Sequence, residues 1–338
     1  MLSDLNEICT RKKKTSMKLK NITAILFFVC LLTIPGQNKN TKALYSNNTK
    51  ESLNFPIDSV DFELGADSRI YVKGKINDSE DLKFLFDTGA TSMVFNPNSF
   101  HKIKMEFNDK VLNNGTTGSS EVGVSSKNKL QIGNQIINDI SFLEIAYPAD
   151  FWDGVIGLNF IKRNITKIDY NKKKIFFYSD HFKPSKRSIA LKIKYVLGVP
   201  TVNIPLTVSK KSYHVCVEID TGSDRVMDLN TPFVKKHSLL HTLKSFATSS
   251  VSGSSQEIGK LYNVRFDKVD IGRYSLPLIP GAFSTVIGGV QGSDEMDGVL
   301  GNNFLKRFNM TLDLKKNVVY LEPNDLMYSP FYDFLIKK

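Results

Sequence analysis

Two acids sit at the ends of apolar, strand-like runs. Asp87 follows Phe84-Leu85-Phe86 and leads into Thr88-Gly89-Ala90-Thr91-Ser92. Asp220 follows Val215-Cys216-Val217-Glu218-Ile219 and leads into Thr221-Gly222-Ser223. A carboxylate is costly to bury without a partner, and the partner each triplet offers is the other. Two carboxyls held about 3 Å apart cannot both ionise, so they share a proton and titrate as a pair. One is then a base and the other an acid at the same pH. A water between them is deprotonated by the first while the second protonates a carbonyl oxygen. That is what adding water to a peptide bond without a covalent intermediate requires. The Thr hydroxyl can tie its backbone to the other half of the chain. Gly lets the opposite backbone approach, and its amide can donate to the carboxylate.

The elements that must position these acids are strands, and they come in the same order twice. In the first half, Ile70–Ile76 and Lys83–Phe86 read as a hairpin around the turn-rich 77–81. Asp87-Thr88-Gly89 follows, then a Gly/Ser/Thr segment from Asn113 to Ser120. Next comes Asp153-Gly154-Val155-Ile156-Gly157, a turn into a short helix, and strands at 166–170 and 174–178 close the unit. The second half runs through strands at 200–208 and 213–219, the triplet 220–222, and the segment 249–255. It ends with Asp297-Gly298-Val299-Leu300-Gly301, a short helix, and strands at 310–314 and 317–321. Aligned without gaps, residues 153–177 and 297–321 are identical at 10 of 25 positions, which reads as an internal duplication. From Asp87 to Asp153 the step is 66 residues, and from Asp220 to Asp297 it is 77, so order is kept and loop length is not.

The chain has 338 residues, enough for two domains with their own cores, and its 41% apolar and 23% charged content is ordinary for a folded protein. Net charge is +11; residues 1–37 hold six basic and two acidic side chains, leaving +7 for the rest. That excess fits attraction to acidic surfaces, and with no basic stripe interleaved with aromatics it gives no case for nucleic acid. Residues 1–37 read as a signal peptide. A basic stretch precedes 13 apolar-rich residues, Ile22 to Ile34, short of the roughly 20 needed to span a bilayer. The expectation is export to a periplasmic or extracellular site, an uncleaved membrane anchor being the alternative. Residues 38–54 are polar and aperiodic, a flexible linker. Once Cys9 and Cys30 leave with the leader, Cys216 stands alone, so no intramolecular disulfide is expected, and it reads as a small buried hydrophobe. The five histidines have no metal-ligand spacing, Asp294-Glu295-Asp297 forms no recognised calcium loop, and no nucleophile elbow is present. No metal and no cofactor is expected.

With both triplets and both hydrophobic-hydrophobic-Gly turns in place (Val155-Ile156-Gly157 and Val299-Leu300-Gly301), the chain resembles an aspartic protease of the retropepsin-like/pepsin-like group. The resemblance covers about residues 55–323. It implies an all-β fold of two pseudo-symmetric acid-protease-type β-barrel lobes, at 55–182 and 183–323, with a C-terminal tail at 324–338. It implies Asp87 and Asp220 as the catalytic dyad, supported by Thr88, Gly89, Thr221 and Gly222. It also implies substrate-binding flaps containing Gly115, Thr116 and Gly118 in one lobe and Ser252 and Gly253 in the other. These would close on a protein or peptide substrate bound in extended form. Lobes of this length are similar to bacterial-type secreted enzymes with two retropepsin-like halves in one chain, expected to be monomeric. The chain departs from the pepsin-like pattern in having no Tyr in either flap segment. Asp224, just after the second triplet, either holds substrate backbone or pairs with Arg225. Gly157 and Gly301 read as structural, and Asp153 and Asp297 as turn or helix-capping acids. A different class remains open: a catalytically silent bilobal protein that binds peptides or envelope components. Both triplets are intact, which favours the enzyme.

Overall fold

The fold is built from strands whose buried residues alternate. In Val199–Val208 the side chains of Val202, Ile204, Leu206 and Val208 enter the core while Asn203 faces solvent. In Lys211–Asp220 it is Tyr213, Val215, Val217 and Ile219 that do so. The computed structural model describes residues 55–148, 152–180, 182–255 and 257–331. The expected signal peptide and linker, residues 1–54, lie outside the described residues, as do 332–338 of the expected tail.

The first half contains β1 (Asp58–Leu64), β2 (Ile70–Ile76), β3 (Leu82–Phe86), β4 (Met93–Phe95), β5 (Asp109–Asn114) and β6 (Ser119–Ile132). It continues with β7 (Gln135–Glu144), β8 (Gly154–Ile156), α1 (Leu158–Ile161), β9 (Ile165–Asp169) and β10 (Lys174–Tyr178). The second half contains β11 (Ile189–Lys192), β12 (Lys194–Val196), β13 (Val199–Val208), β14 (Lys211–Asp220), β15 (Met227–Leu229), α2 (Thr231–Lys236) and α3 (Leu239–Thr242). Then come β16 (Ala247–Val251), β17 (Gly259–Ile271), β18 (Tyr274–Ser284), α4 (Gly289–Gly292), β19 (Gly298–Gly301), α5 (Asn302–Leu305), β20 (Phe308–Asp313) and β21 (Val318–Pro323).

Each half closes a six-stranded circuit. In the first, the order β2-β3-β8-β4-β7-β6 returns to β2. In the second, β13-β14-β19-β15-β18-β17 returns to β13. The hand of each pairing repeats as well: β8 runs parallel to β3 and antiparallel to β4, and β19 runs parallel to β14 and antiparallel to β15. The molecule is therefore all-β with two barrel-like lobes. Closure of both circuits hides strand edges that would otherwise be open to other chains.

A second sheet joins the lobes in the order β11-β21-β20-β9-β10-β1. At its centre β9 pairs antiparallel with β20, and Lys167 lies opposite Thr311. These two residues hold the same place in the ungapped segments 153–177 and 297–321. A two-fold relation between the halves passes through this pair. Residues 324–331 pack back onto the second lobe, with Met327 buried and Asn324 Nδ2 donating to the Lys306 carbonyl at 2.9 Å.

Candidate active site

β3 ends one residue before Asp87, and β14 ends on Asp220. What brings the two together is a reciprocal set of hydrogen bonds made by the neighbouring threonines. Thr88 Oγ1 donates to the Ile219 carbonyl at 2.6 Å and accepts from the Thr221 amide at 3.0 Å. Thr221 Oγ1 donates to the Phe86 carbonyl at 2.8 Å and accepts from the Thr88 amide at 3.0 Å. Both threonines are fully buried, so each bond satisfies a backbone group that water cannot reach.

The carboxyls are equally symmetric. Asp87 Oδ1 accepts from the amides of Gly89 (2.7 Å) and Ala90 (3.1 Å), and Asp220 Oδ1 accepts from Gly222 (2.8 Å) and Ser223 (3.1 Å). Each carboxyl is close enough to the other to act on its titration. The glycines have a steric reason that differs in detail from the backbone approach expected. A methyl on Gly222 would stand 2.3 Å from Asp87 Cγ, and one on Gly89 would stand 2.8 Å from Asp220 Cγ. It is the opposite lobe's carboxyl, rather than its backbone, that needs the space.

Electrostatics break the symmetry. Burial raises both carboxyls. Asp220 is pushed well above the usual carboxylate range, with Asp87 and then Glu218 adding to the effect of burial. Asp87 is raised by burial but drawn back by the amides of Gly89 and Ala90 and by the Arg69 guanidinium. The Arg69 charge thus favours ionisation on the Asp87 side of the pair, and the Glu218 carboxyl works against it on the Asp220 side.

Arg69 was not singled out by the sequence, because the partners that tie it to the second triplet, Gly222 and Asp224, lie in the other half. Its Nε donates to the Gly222 carbonyl at 2.7 Å, it pairs with Asp67 at 3.1 Å and Asp224 at 3.6 Å, and it lies over the Trp152 ring. The expected Asp224–Arg225 pair is not the one formed: Asp224 lies 3.6 Å from Arg69 instead. Arg225 turns to Asp228, with Nε 3.1 Å from each carboxylate oxygen. Tyr147 also escaped notice. It follows β7, half-buried against Trp152, and its hydroxyl is raised by burial and by the nearby Asp87 and Asp220 charges. Tyr147 lies outside both flap segments, close enough to the two acids for their charges to act on its hydroxyl.

Asp153 and Asp297 do not cap helices, since Gly157 and Gly301 occupy the N-cap positions. Instead each carboxylate locks the strand before a catalytic-type triplet. Asp153 accepts from the Lys83 amide at 2.8 Å and from Lys102 and Ser99, and Asp297 accepts from the Cys216 amide at 2.8 Å. Burial works against the Asp153 charge, but these bonds outweigh it and hold the group below its ordinary range. Gly157 and Gly301 are structural: a Cβ at either would lie within 2.3 Å of a backbone oxygen, of Ser92 and Arg225 respectively. Cys216 is half-buried and packs against the core, less enclosed than its apolar run indicated.

Gly115, Thr116 and Gly118 form the turn between β5 and β6, and Ser252 and Gly253 lie in the loop between β16 and β17. The two hairpin tips meet. Asn113 Nδ2 donates to Ser254 Oγ at 2.9 Å, and Thr117 Oγ1 donates to the Glu257 carbonyl at 2.7 Å. A Cβ on Gly253 would strike Thr116. The amides of Val290 and Gln291 hold the Gly115 and Thr116 carbonyls at 3.0 Å each. Ser252 remains exposed. Among the described residues no group of three or more His, Cys, Asp and Glu has the geometry to hold a metal ion, and no helix is long and apolar enough to cross a membrane.

Residues 72–160 match the family model described as "Aspartyl protease". That stretch runs from β2 through α1 and contains the first triplet. The chain is also 29% identical over 164 residues, 42% of its length, to a "Retrovirus-related Pol polyprotein from transposon 412" of Drosophila melanogaster. It spans 12% of that polyprotein's length. Both similarities support a relationship to retropepsin-like aspartic proteases.

Proposed function

We propose that this chain is an aspartic endopeptidase that hydrolyses peptide bonds with a water activated between Asp87 and Asp220. The observation that carries the proposal is the reciprocal Thr88–Thr221 lock, which sets two otherwise distant carboxyls side by side. Asp87, whose ionisation the Arg69 charge favours, takes the proton from water. Asp220 donates its proton to the substrate carbonyl, and the roles exchange as the tetrahedral intermediate collapses. Thr88, Gly89, Thr221 and Gly222 position the acids. The hairpin tips at Gly115–Gly118 and Ser252–Gly253 would part to admit an extended protein or peptide substrate and close over it as an added strand.

The finer reading is of a monomer made by internal duplication, each half giving one acid, and of a bacterial-type secreted enzyme. The repeated order of strand pairings supports the duplication, and the basic-then-apolar N-terminus supports export. The test is cleavage of a denatured protein mixture by the purified protein from about pH 3 to about pH 8, with and without pepstatin. Asp87→Asn and Asp220→Asn are each expected to lower the rate by about 10²–10⁴-fold. Neither cleavage nor pepstatin binding by the wild type would overturn the proposal and leave a binding protein.

A further inference from the structure

Glu218 is the third acid of this site, and its place in the fold is unlike that of an ordinary strand glutamate. It lies two residues before Asp220 on β14, on the face opposite the core residues Val217 and Ile219. That face should be solvated, yet Glu218 is only 5% exposed. The cover comes from the other lobe: a methyl on Gly89 would lie 2.8 Å from Glu218 Oε1 and 2.8 Å from Asp220 Cγ. The Glu218 and Asp220 carboxyls therefore flank one point on the loop that carries Asp87.

The equivalent place in the first lobe is apolar. β3 pairs Leu85 with Tyr71 on β2 and Val155 on β8, and β14 pairs Glu218 with Thr201 on β13 and Val299 on β19. Leu85 thus matches Glu218, and Leu85 sits in a small apolar cluster with Tyr71, Val94, Trp152 and Val155. A leucine satisfies this position in one lobe, so an acid in the other is not required by the fold. Among the described residues the Glu218 carboxyl takes part in no hydrogen bond or ion pair, and the hydroxyl of Thr201 opposite it donates to the Lys194 carbonyl instead. Its strand neighbours Thr201 and Val299 carry no charge. Arg225 is paired with Asp228 one strand beyond, Arg69 bears on Asp87, and the charges that act on Glu218 or feel it are the dyad's own.

Resting on the aspartic endopeptidase reading, we propose that Glu218 is a positioning residue of the dyad: a third carboxyl that gives up its own proton before Asp220 does, so that its charge then keeps Asp220 protonated and extends activity to higher pH. Three clustered carboxyls hold two protons where a pair holds one. As the pH rises one proton leaves, and a charge left on Glu218 makes the proton on Asp220 harder to remove. Burial, followed by the Asp87 charge, pushes Glu218 itself up to about 8, which places that exchange around neutrality.

The experiment compares the pH dependence of peptide cleavage for the full chain and for Glu218→Gln and Glu218→Leu. The first keeps shape without titration, and the second is the residue the other lobe carries. Both variants are expected to retain wild-type kcat/KM on the acid side while the alkaline limb moves to lower pH by about one unit. Superimposed limbs, or a uniform loss at every pH, would overturn the proposal. A second readout needs no turnover. Near neutral pH, the infrared spectrum of the wild type minus that of Glu218→Gln is expected to show the carbonyl band of a protonated carboxyl. Absence of that band means an ionised Glu218 and also overturns the proposal. If the band is present but no cleavage or pepstatin binding is found, the shared-proton cluster stands and the endopeptidase reading alone fails.

Discussion

Thr88 carries two bonds with one hydroxyl, and both ends of each bond are buried. Thr88→Ala leaves the Ile219 carbonyl and the Thr221 amide without partners, an expected loss of about 2–4 kcal/mol at one to two such groups. Thr88→Ser should recover most of it. Denaturant midpoints of the three proteins measure this, and equal midpoints for wild type and Ala would count against the lock. Glu218 makes a second prediction, about pH. Its folded pKa of about 8 lies above its ordinary 4.5, so between those values the folded state binds more protons than the unfolded one. Stability is therefore full below about 4.5 and falls as pH rises toward about 8, at up to about 1.4 kcal/mol per pH unit for one group. The dyad acids, also raised, add to this slope. Glu218→Gln should flatten it, which thermal melts across that range would detect; an unchanged slope would mean that Glu218 is ionised in the fold. The acids Asp87 and Asp220 were legible from residue type and from the apolar runs before them. Glu218, Arg69 and Tyr147 were not, because nothing within a few residues of each reveals what covers it.

At the scale of elements, strand positions follow the alternation of apolar residues closely. The expected hairpin 70–76 with 83–86 is β2 with β3, shifted by one residue at the start of β3. The Gly/Ser/Thr segments were legible as turns but not as partners. That Asn113–Thr117 seats against Ser254, Glu257 and α4 depends on a contact between halves. These tips should open as one unit, because the bonds that join them are few and are made by side chains. Thr117→Val removes the hydroxyl that reaches the Glu257 carbonyl while keeping its volume. Amide exchange at residues 113–119 and 252–258 is expected to speed up several-fold, with exchange in β13 and β14 unchanged. Exchange that stays slow at both tips would show that the seat does not depend on Thr117.

Connections between the lobes include the sheet through β9 and β20, the Thr88–Thr221 lock, Arg69 on Gly222 and Asp224, and the paired hairpin tips. A chain ending near residue 182 keeps its closed barrel but exposes the β9 edge, where Lys167 and its neighbours meet β20. It also loses every partner of Thr88. The isolated first lobe is therefore expected to self-associate or aggregate, because a second copy can present an equivalent β9 edge. Light scattering after gel filtration reports the outcome, and a stable monomer would show that the inter-lobe sheet is dispensable.

The sequence by itself determined that the chain is β-rich, that two Asp-Thr-Gly triplets end apolar strands, and that Asp-Gly turns and short helices recur after them. These properties are local: periodicity, turn chemistry and residue type act over a few positions. Only the tertiary structure decided which face of each strand is covered. Leu85 and Glu218 occupy equivalent strand positions, and both are buried, one under its own lobe's aromatics and one under the loop of the other lobe. It likewise decided that Asp224 pairs with Arg69, and that the Arg69 charge bears on Asp87 while the Glu218 carboxyl bears on Asp220. Burial and charge are sums over everything that packs nearby, and here much of what packs nearby lies in the other half of the chain.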